Sequence, residues 1–118
     1  MYNKRTIGSE KEQKAAAYLT SAGYRILAAN FFTRSGEIDL IAREGEVLVF
    51  IEVKYRKDLQ SGSPLEAVDS RKIRNICKAA RYYMYINHIP EDTPCRFDAV
   101  GIVEEEITLI RNAFDAQF

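Results

Sequence analysis

Apolar positions fall with two different periods along the chain, and the changes of period mark out its elements. At the start the pattern is helical. Ser9 and Glu12 have the spacing of a capping box, in which hydroxyl and carboxylate each accept a backbone N–H at the head of a helix. That helix is predicted to run to about residue 22, where Gly23 supplies the left-handed conformation that ends helices. Residues 24–32 are rich in apolar side chains and suit a first strand. Residues 37–43 and 46–55 then read as a hairpin joined by Glu44-Gly45. Its second arm, Val47-Leu48-Val49-Phe50-Ile51-Glu52-Val53-Lys54, is apolar on both faces, as expected of a central strand covered on both sides.

Ser61-Gly62-Ser63-Pro64 breaks the pattern. A short helical turn at 65–68 and a longer helix from Asp69 or Ser70 to about Ile86 are predicted to follow. Residues 96–103 and 107–111 read as two more strands, turning around Glu104-Glu105-Glu106. No repeat, low-complexity tract or linker interrupts the chain. The order helix, three strands, helix, two strands predicts a single α/β domain over residues 1–118, a mixed central β-sheet flanked by helices.

Composition narrows the class. The 118 residues are 47% hydrophobic and 29% charged, which suits an ordinary globular core and excludes a disordered chain. No apolar run approaches the roughly 18 residues of a membrane span, and the polar N-terminus has no signal-like apolar stretch. Two cysteines, Cys77 and Cys95, lack metal-ligand spacing and read as reduced thiols, so the expected compartment is the cytoplasm. Lysine plus arginine and aspartate plus glutamate each number 17. A protein that merely coats DNA would be strongly basic, so any nucleic-acid role must rest on how the charges are distributed.

The candidate chemistry lies on the hairpin. Side chains alternate along a strand, so Glu52 and Lys54 share a face with Leu48 and Phe50, in a partly buried setting. Buried charges must be paired or hold a metal. The facing strand carries Glu37 and Asp39, and closure at Glu44-Gly45 brings Asp39 near Ile51 or Glu52. Oxygens of Asp39 and Glu52, with the backbone carbonyl of Val53, would suit Mg²⁺, with Mn²⁺ as the substitute. Such an ion activates water and neutralises a phosphate, while Lys54 orients the water or acts as a base. An acid-x-Lys triplet alone arises by chance roughly once per chain of this size, and a satisfied structural ion pair is the bland alternative. What singles this one out is its place at the end of the most apolar strand, opposite a second acidic strand.

These residues carry a resemblance. Gly36-Glu37-Ile38-Asp39-Leu40-Ile41-Ala42 and Phe50-Ile51-Glu52-Val53-Lys54-Tyr55-Arg56 strongly resemble the YraN family of small bacterial proteins. So do Gly62-Ser63-Pro64 with Glu66-Ala67-Val68, then Arg96-Phe97-Asp98, and Gly8, Glu12, Ala15 and Tyr18-Leu19 near the N-terminus. The likeness spans nearly the whole chain. One position departs, Lys11, where many members carry Gly. The family looks like a branch of the PD-(D/E)XK nuclease superfamily, similar in arrangement to Holliday-junction resolvases. The resemblance implies a restriction-endonuclease-like core and a Mg²⁺-dependent endonuclease acting on DNA, with branched and single-stranded structures as the candidate substrates. It implies Asp39, Glu52 and Lys54 as the catalytic trio, with Glu12 as a resolvase-type helix glutamate.

Beyond the trio, the helix from Ser70 carries Arg71, Arg74, Lys78 and Arg81 at i, i+3, i+7, i+10, on one face, with no acidic residue through Ile86. This is either a solvated face or a phosphate-tracking stripe that Arg56 and Lys57 extend. Tyr82, Tyr83 and Tyr85 either cover the helix end or stack on unpaired bases. His88 reads as a loop residue, and Asp98 as a hydrogen-bonding or ion-pairing group. Two rivals remain: a non-catalytic nucleic-acid-binding module on a nuclease fold, and a protein-interaction domain using the hairpin edge. A junction substrate would favour a two-fold homodimer.

Overall fold

The structure, a computed structural model, describes residues 10–56 and 70–116. Helix α1, Glu10–Ser21, is followed by strands β1, Arg25–Phe32, β2, Glu37–Glu44, and β3, Val47–Arg56. Helix α2, Ser70–Ile86, then leads to strands β4, Cys95–Val103, and β5, Glu106–Ile110. The strands form one sheet in chain order. Its β3–β4 pair is parallel and the other neighbours are antiparallel, so the sheet is mixed, as the hydrophobic pattern predicts. Ser9, Lys57, the break at 61–64, the turn expected at 65–68 and Asp69 lie outside the described residues.

Strand β3 is central because its apolar residues serve two layers. Leu48 and Phe50 pack with Ile41, Phe97 and the α2 residues Ile73, Ile76, Cys77 and Tyr83. Val49 and Ile51 pack with Leu40, Ala42, Val100, Ile102 and the α1 residues Ala15, Ala16 and Leu19. Each helix therefore covers one face. On the α2 side Phe50 stacks on Phe97 at 5.5 Å between centroids, and the Tyr83 ring stands edge-on to Phe50 at 6.2 Å.

Both helices end in the same hydrogen-bond motif. After α1 the Tyr24 N–H reaches back to the Leu19 carbonyl at 2.9 Å and Gly23 to Thr20 at 3.1 Å, with Gly23 at φ 101°. After α2 the Ile89 N–H reaches the Met84 carbonyl at 2.9 Å and His88 the Tyr85 carbonyl at 3.2 Å, with His88 itself at φ 55°. His88 is thus the loop residue its sequence context suggests. The β2–β3 connection is Gly45-Glu46, one residue beyond the predicted joint, because Glu44 and Val47 still pair across the ladder. Gly45 takes the positive φ of 61° at the first loop position that a two-residue hairpin favours.

Asp98 holds the hairpin end of the α1 layer together. It is 0% exposed, and both of its oxygens are saturated. Oδ1 accepts from Arg96 Nε at 2.8 Å and the Asn112 N–H at 2.9 Å; Oδ2 accepts from the Tyr24 hydroxyl at 2.6 Å and Arg96 Nη2 at 2.9 Å. Arg96 also meets Glu44 at 2.6 Å, and Arg111 closes on the other Glu44 oxygen at 2.7 Å. These two arginines hold the Glu44 carboxyl down at about 2, while burial and Asp98 push the Tyr24 hydroxyl up to about 12. Removing a buried carboxylate strands its partners, whereas removing one donor of four does not. Urea denaturation of Asp98→Ala should therefore show a loss of about 3–5 kcal/mol, and of Tyr24→Phe about 1 kcal/mol. Equal losses would show that Asp98 does not organise this network.

Candidate metal centre at the end of the sheet

The site begins where the β2–β3 ladder ends. Pairing runs from Glu44↔Val47 to Leu40↔Ile51, and one further step would set Asp39 opposite Glu52. Instead, the Asp39 carboxylate itself accepts the Val53 N–H at 2.7 Å. A side chain thus replaces the backbone acceptor, and its oxygens are fixed at the rim of the sheet. On the other side of β3, Glu52 lies beside Ala99 and Lys54 beside Gly101. Those small neighbours leave room for two long charged side chains.

The approach to Asp39 is set by a tight β1–β2 turn. The Thr33 hydroxyl accepts the N–H groups of Ser35 and Gly36 and donates to the Gly36 carbonyl at 2.9 Å. Gly36 lies so close to α2 that a Cβ there would meet the Asn75 Cβ at 3.3 Å. Glu37 follows directly. Among the described residues, single carboxylate oxygens of Glu12, Glu37 and Asp39 lie within 4.8 Å of one another, one each from α1 and two from β2. Glu52 is turned to the opposite charge: its Oε1 is 2.7 Å from Lys72 Nζ and 3.5 Å from Lys54 Nζ. A cavity of about 180 Å³ is lined by Gly36, Glu37, Asp39, Glu52, Lys72 and Asn75.

The electrostatics follow from this crowding. Burial, reinforced by the charges of Glu52, Glu37 and Glu12, lifts the Asp39 carboxyl to about 7, although the Val53 N–H opposes the rise. Glu37 is raised for the same reasons, burial first. Lys54 is pulled below its ordinary value by burial and by the Lys72 ammonium beside it. Burial also works against the charge of Lys72, yet its bond to Glu52 leaves it above the ordinary value.

Carboxylates crowded together at the end of the sheet, Asp39 and Glu37 with raised proton affinity, form the hard oxygen set that a divalent cation prefers. The residues present therefore fit such an ion. Asp39, Glu52, Lys54 and Glu12, the four catalytic candidates, gather at one end of the sheet. Val53 meets the site through its N–H. Arg56 continues the row of Glu52 and Lys54 along β3. Arg71, Arg74, Lys78 and Arg81 are all exposed on α2. Lys11 sits 3.8 Å over the Tyr55 ring, just past the strand's charged pair. Glu37, which shares a strand face with Asp39, is also expected from the sequence to assist the metal, and the turn brings it to Glu12. One participant, Lys72, is not singled out from the sequence. Lys72 stood among the helix cations, and its i, i+4, i+11 relation to Ile76 and Tyr83 marked it as edging the buried face.

Fold and site together define an α/β protein with a carboxylate–lysine centre at one end of a mixed sheet. Residues 11–102 match the model of the uncharacterised protein family UPF0102. The chain is similar to a UPF0102 protein of Lachnoclostridium phytofermentans, 54% identical over 97% of each chain. It is also similar to one of Chromohalobacter salexigens, 45% identical over 97% of this chain and 94% of the other. A third, from Symbiobacterium thermophilum, is 46% identical over 95% and 98%. The chain belongs to the UPF0102, or YraN, family.

The raised carboxyl makes a prediction about stability. With Asp39 at about 7 in the folded state against an ordinary 3.8, the folded chain keeps a proton that the unfolded chain has lost. Stability without added metal should then fall as pH rises through that window, and be fully present only below it. Asp39→Asn keeps an acceptor for Val53 but cannot ionise. In EDTA its melting temperature should exceed the wild type's at pH about 8, with the gap closing toward pH about 4. A wild type that gains on the variant as pH rises would contradict this.

Proposed function

We propose that this protein is a metal-dependent endonuclease that hydrolyses phosphodiester bonds in DNA. The observation that carries the reading is the meeting of Glu12, Glu37 and Asp39 within 4.8 Å, beside a Glu52 flanked by two lysines. The resemblance to the PD-(D/E)XK nucleases supports it, since an acid and an acid-x-Lys on adjacent strands fall on Asp39, Glu52 and Lys54. A divalent cation such as Mg²⁺ or Mn²⁺ would supply water activation and neutralise charge on the phosphate. Asp39, held by the Val53 N–H, would keep its oxygens toward that cation, with Glu12, Glu37 and Glu52 completing the donor set. Lys54, its proton affinity lowered by burial, would orient the attacking water and take or return its proton. Arg56 and the α2 cations would hold flanking phosphates in register without reading sequence. On a branched substrate two such centres would act together, which a two-fold homodimer would provide.

One observation favours a second reading, a nucleic-acid-binding module without cleavage: Glu52 is already neutralised by Lys72 at 2.7 Å. Cleavage separates the two. Labelled duplex, single-stranded, flap and four-way-junction DNA, with an RNA hairpin, would be incubated with Mg²⁺, Mn²⁺ or EDTA. Metal-dependent cutting of DNA, reduced about 10²–10⁴-fold in both Asp39→Ala and Lys54→Ala, is expected. Binding without cutting, unchanged in both variants, would establish the binding module instead.

A further inference from the structure

The structure divides the three tyrosines at the end of α2. Tyr83 is buried against Phe50 and Phe31, whereas Tyr82 and Tyr85 are 52% and 78% exposed. Those two rings are not on a separate face of the helix. Tyr82 stands i+4 from Lys78 and i+11 from Arg71, and Tyr85 stands i+4 from Arg81 and i+7 from Lys78, so they continue the line of cations. Two exposed aromatic rings thus end a stripe of four exposed cations on a helix that carries no acidic residue. At its other end the same helix touches the carboxylate centre through Lys72. The ten residues from Lys72 to Tyr82 span about 15 Å of helix.

Behind the rings is a second, much larger cavity, about 1200 Å³, bounded by Tyr82, Tyr85, His88, Ile89, Cys95 and Glu91. The left-handed turn at His88 folds Ile89 back onto Met84 and so forms part of its wall. Tyr82 is pre-positioned, with its ring 6.2 Å from that of Phe31. The lining joins aromatic and aliphatic surface to a carboxylate. Glu91 can accept from the amino group of a base, while Arg81 lines the same cavity and can hold the phosphate of the base that enters; Lys78, Arg74 and Arg71 continue from it along the helix outside.

We propose that the C-terminal end of α2 is a docking site for single-stranded DNA. Its unpaired bases stack on Tyr82 and Tyr85, and one enters the cavity behind them. Its phosphates follow Arg81, Lys78, Arg74 and Arg71 toward the carboxylate centre. Charge complementarity selects a polyanion for this face, and the exposed rings select one whose bases are free, because paired bases offer no face to stack on. The choice of DNA rests on the nuclease reading; the docking itself requires no cleavage.

The test is binding in EDTA, by anisotropy of a labelled deoxyoligonucleotide of about 12 nucleotides, against an abasic strand of equal length and against the duplex. Wild-type protein should bind the single strand tightest. Tyr85→Ala and Tyr82→Ala should each weaken it roughly tenfold while leaving abasic binding unchanged, and Tyr85→Phe should restore it. Arg74→Ala should weaken both strands alike and lower the salt dependence. Equal binding of normal and abasic strands would overturn the docking site while leaving the DNA reading intact. Absence of binding to every DNA would overturn both. Tighter binding of the matching RNA would overturn the choice of DNA. A Tyr85-dependent dimer that forms without DNA would show that a second copy of the chain occupies this face.

Discussion

Where the Val53 N–H meets the Asp39 carboxylate, at 2.7 Å, the β2–β3 backbone ladder gives way to a charged rim. Toward the hairpin, Leu40, Ile41, Ala42 and Leu48 to Ile51 are buried core on both faces of the two strands, each face covered by a helix. At and beyond that bond, the alternating positions Glu37, Asp39, Glu52 and Lys54 carry charge, while Ile38 between the first two stays buried. The bond satisfies a strand N–H that would otherwise lose its acceptor, and in return orients the carboxylate and opposes part of the rise that burial imposes on it. Replacing Asp39 therefore disturbs chemistry and backbone together unless the new side chain still accepts.

Around that fixed point the charges separate into two groups. Glu12, Glu37 and Asp39 crowd one another on the β2 side, and Glu52 faces Lys54 and Lys72 on the α2 side. Crowded carboxylates are costly in an isolated site, while a buried ion pair adds little net stability. A core built for stability alone would be better served by apolar side chains here. A divalent cation among the carboxylates would relieve the first cost, and it would compete with the lysines for Glu52. The neutral total charge therefore conceals an acidic rim and a basic helix and is not a sign of an uncharged surface.

The fold was legible because its signals are local and periodic. Gly23 after α1, the doubly apolar β3, and the alternation of Glu37 with Asp39 and Glu52 with Lys54 each express one element's own geometry. Hairpin register followed, and with it the nearness of Asp39 to Glu52. What residue spacing alone does not show is whatever depends on distant packing, and Glu12 enters the sequence reading only through the resemblance. Glu12 lies on the helix covering the opposite face, and reaches Glu37 only around the end of the sheet. Lys72 meets Glu52 only once α2 has settled on β3, with Gly36 against Asn75. Tyr82, Tyr83 and Tyr85 are chemically alike, and only burial shows that the middle one is core.

The most direct measurement is anomalous diffraction from crystals soaked in Mn²⁺, collected beside Asp39→Asn crystals treated identically. A metal centre here gives an anomalous peak about 2.0–2.2 Å from an Asp39 oxygen, within reach of Glu12, Glu37 or Glu52 and absent from the variant. Lys72 should have released Glu52 if that carboxylate joins the donor set. A rim with no peak, Asp39 still bonded to Val53 and Glu52 still bound by Lys72, would contradict a metal centre and with it the catalytic reading.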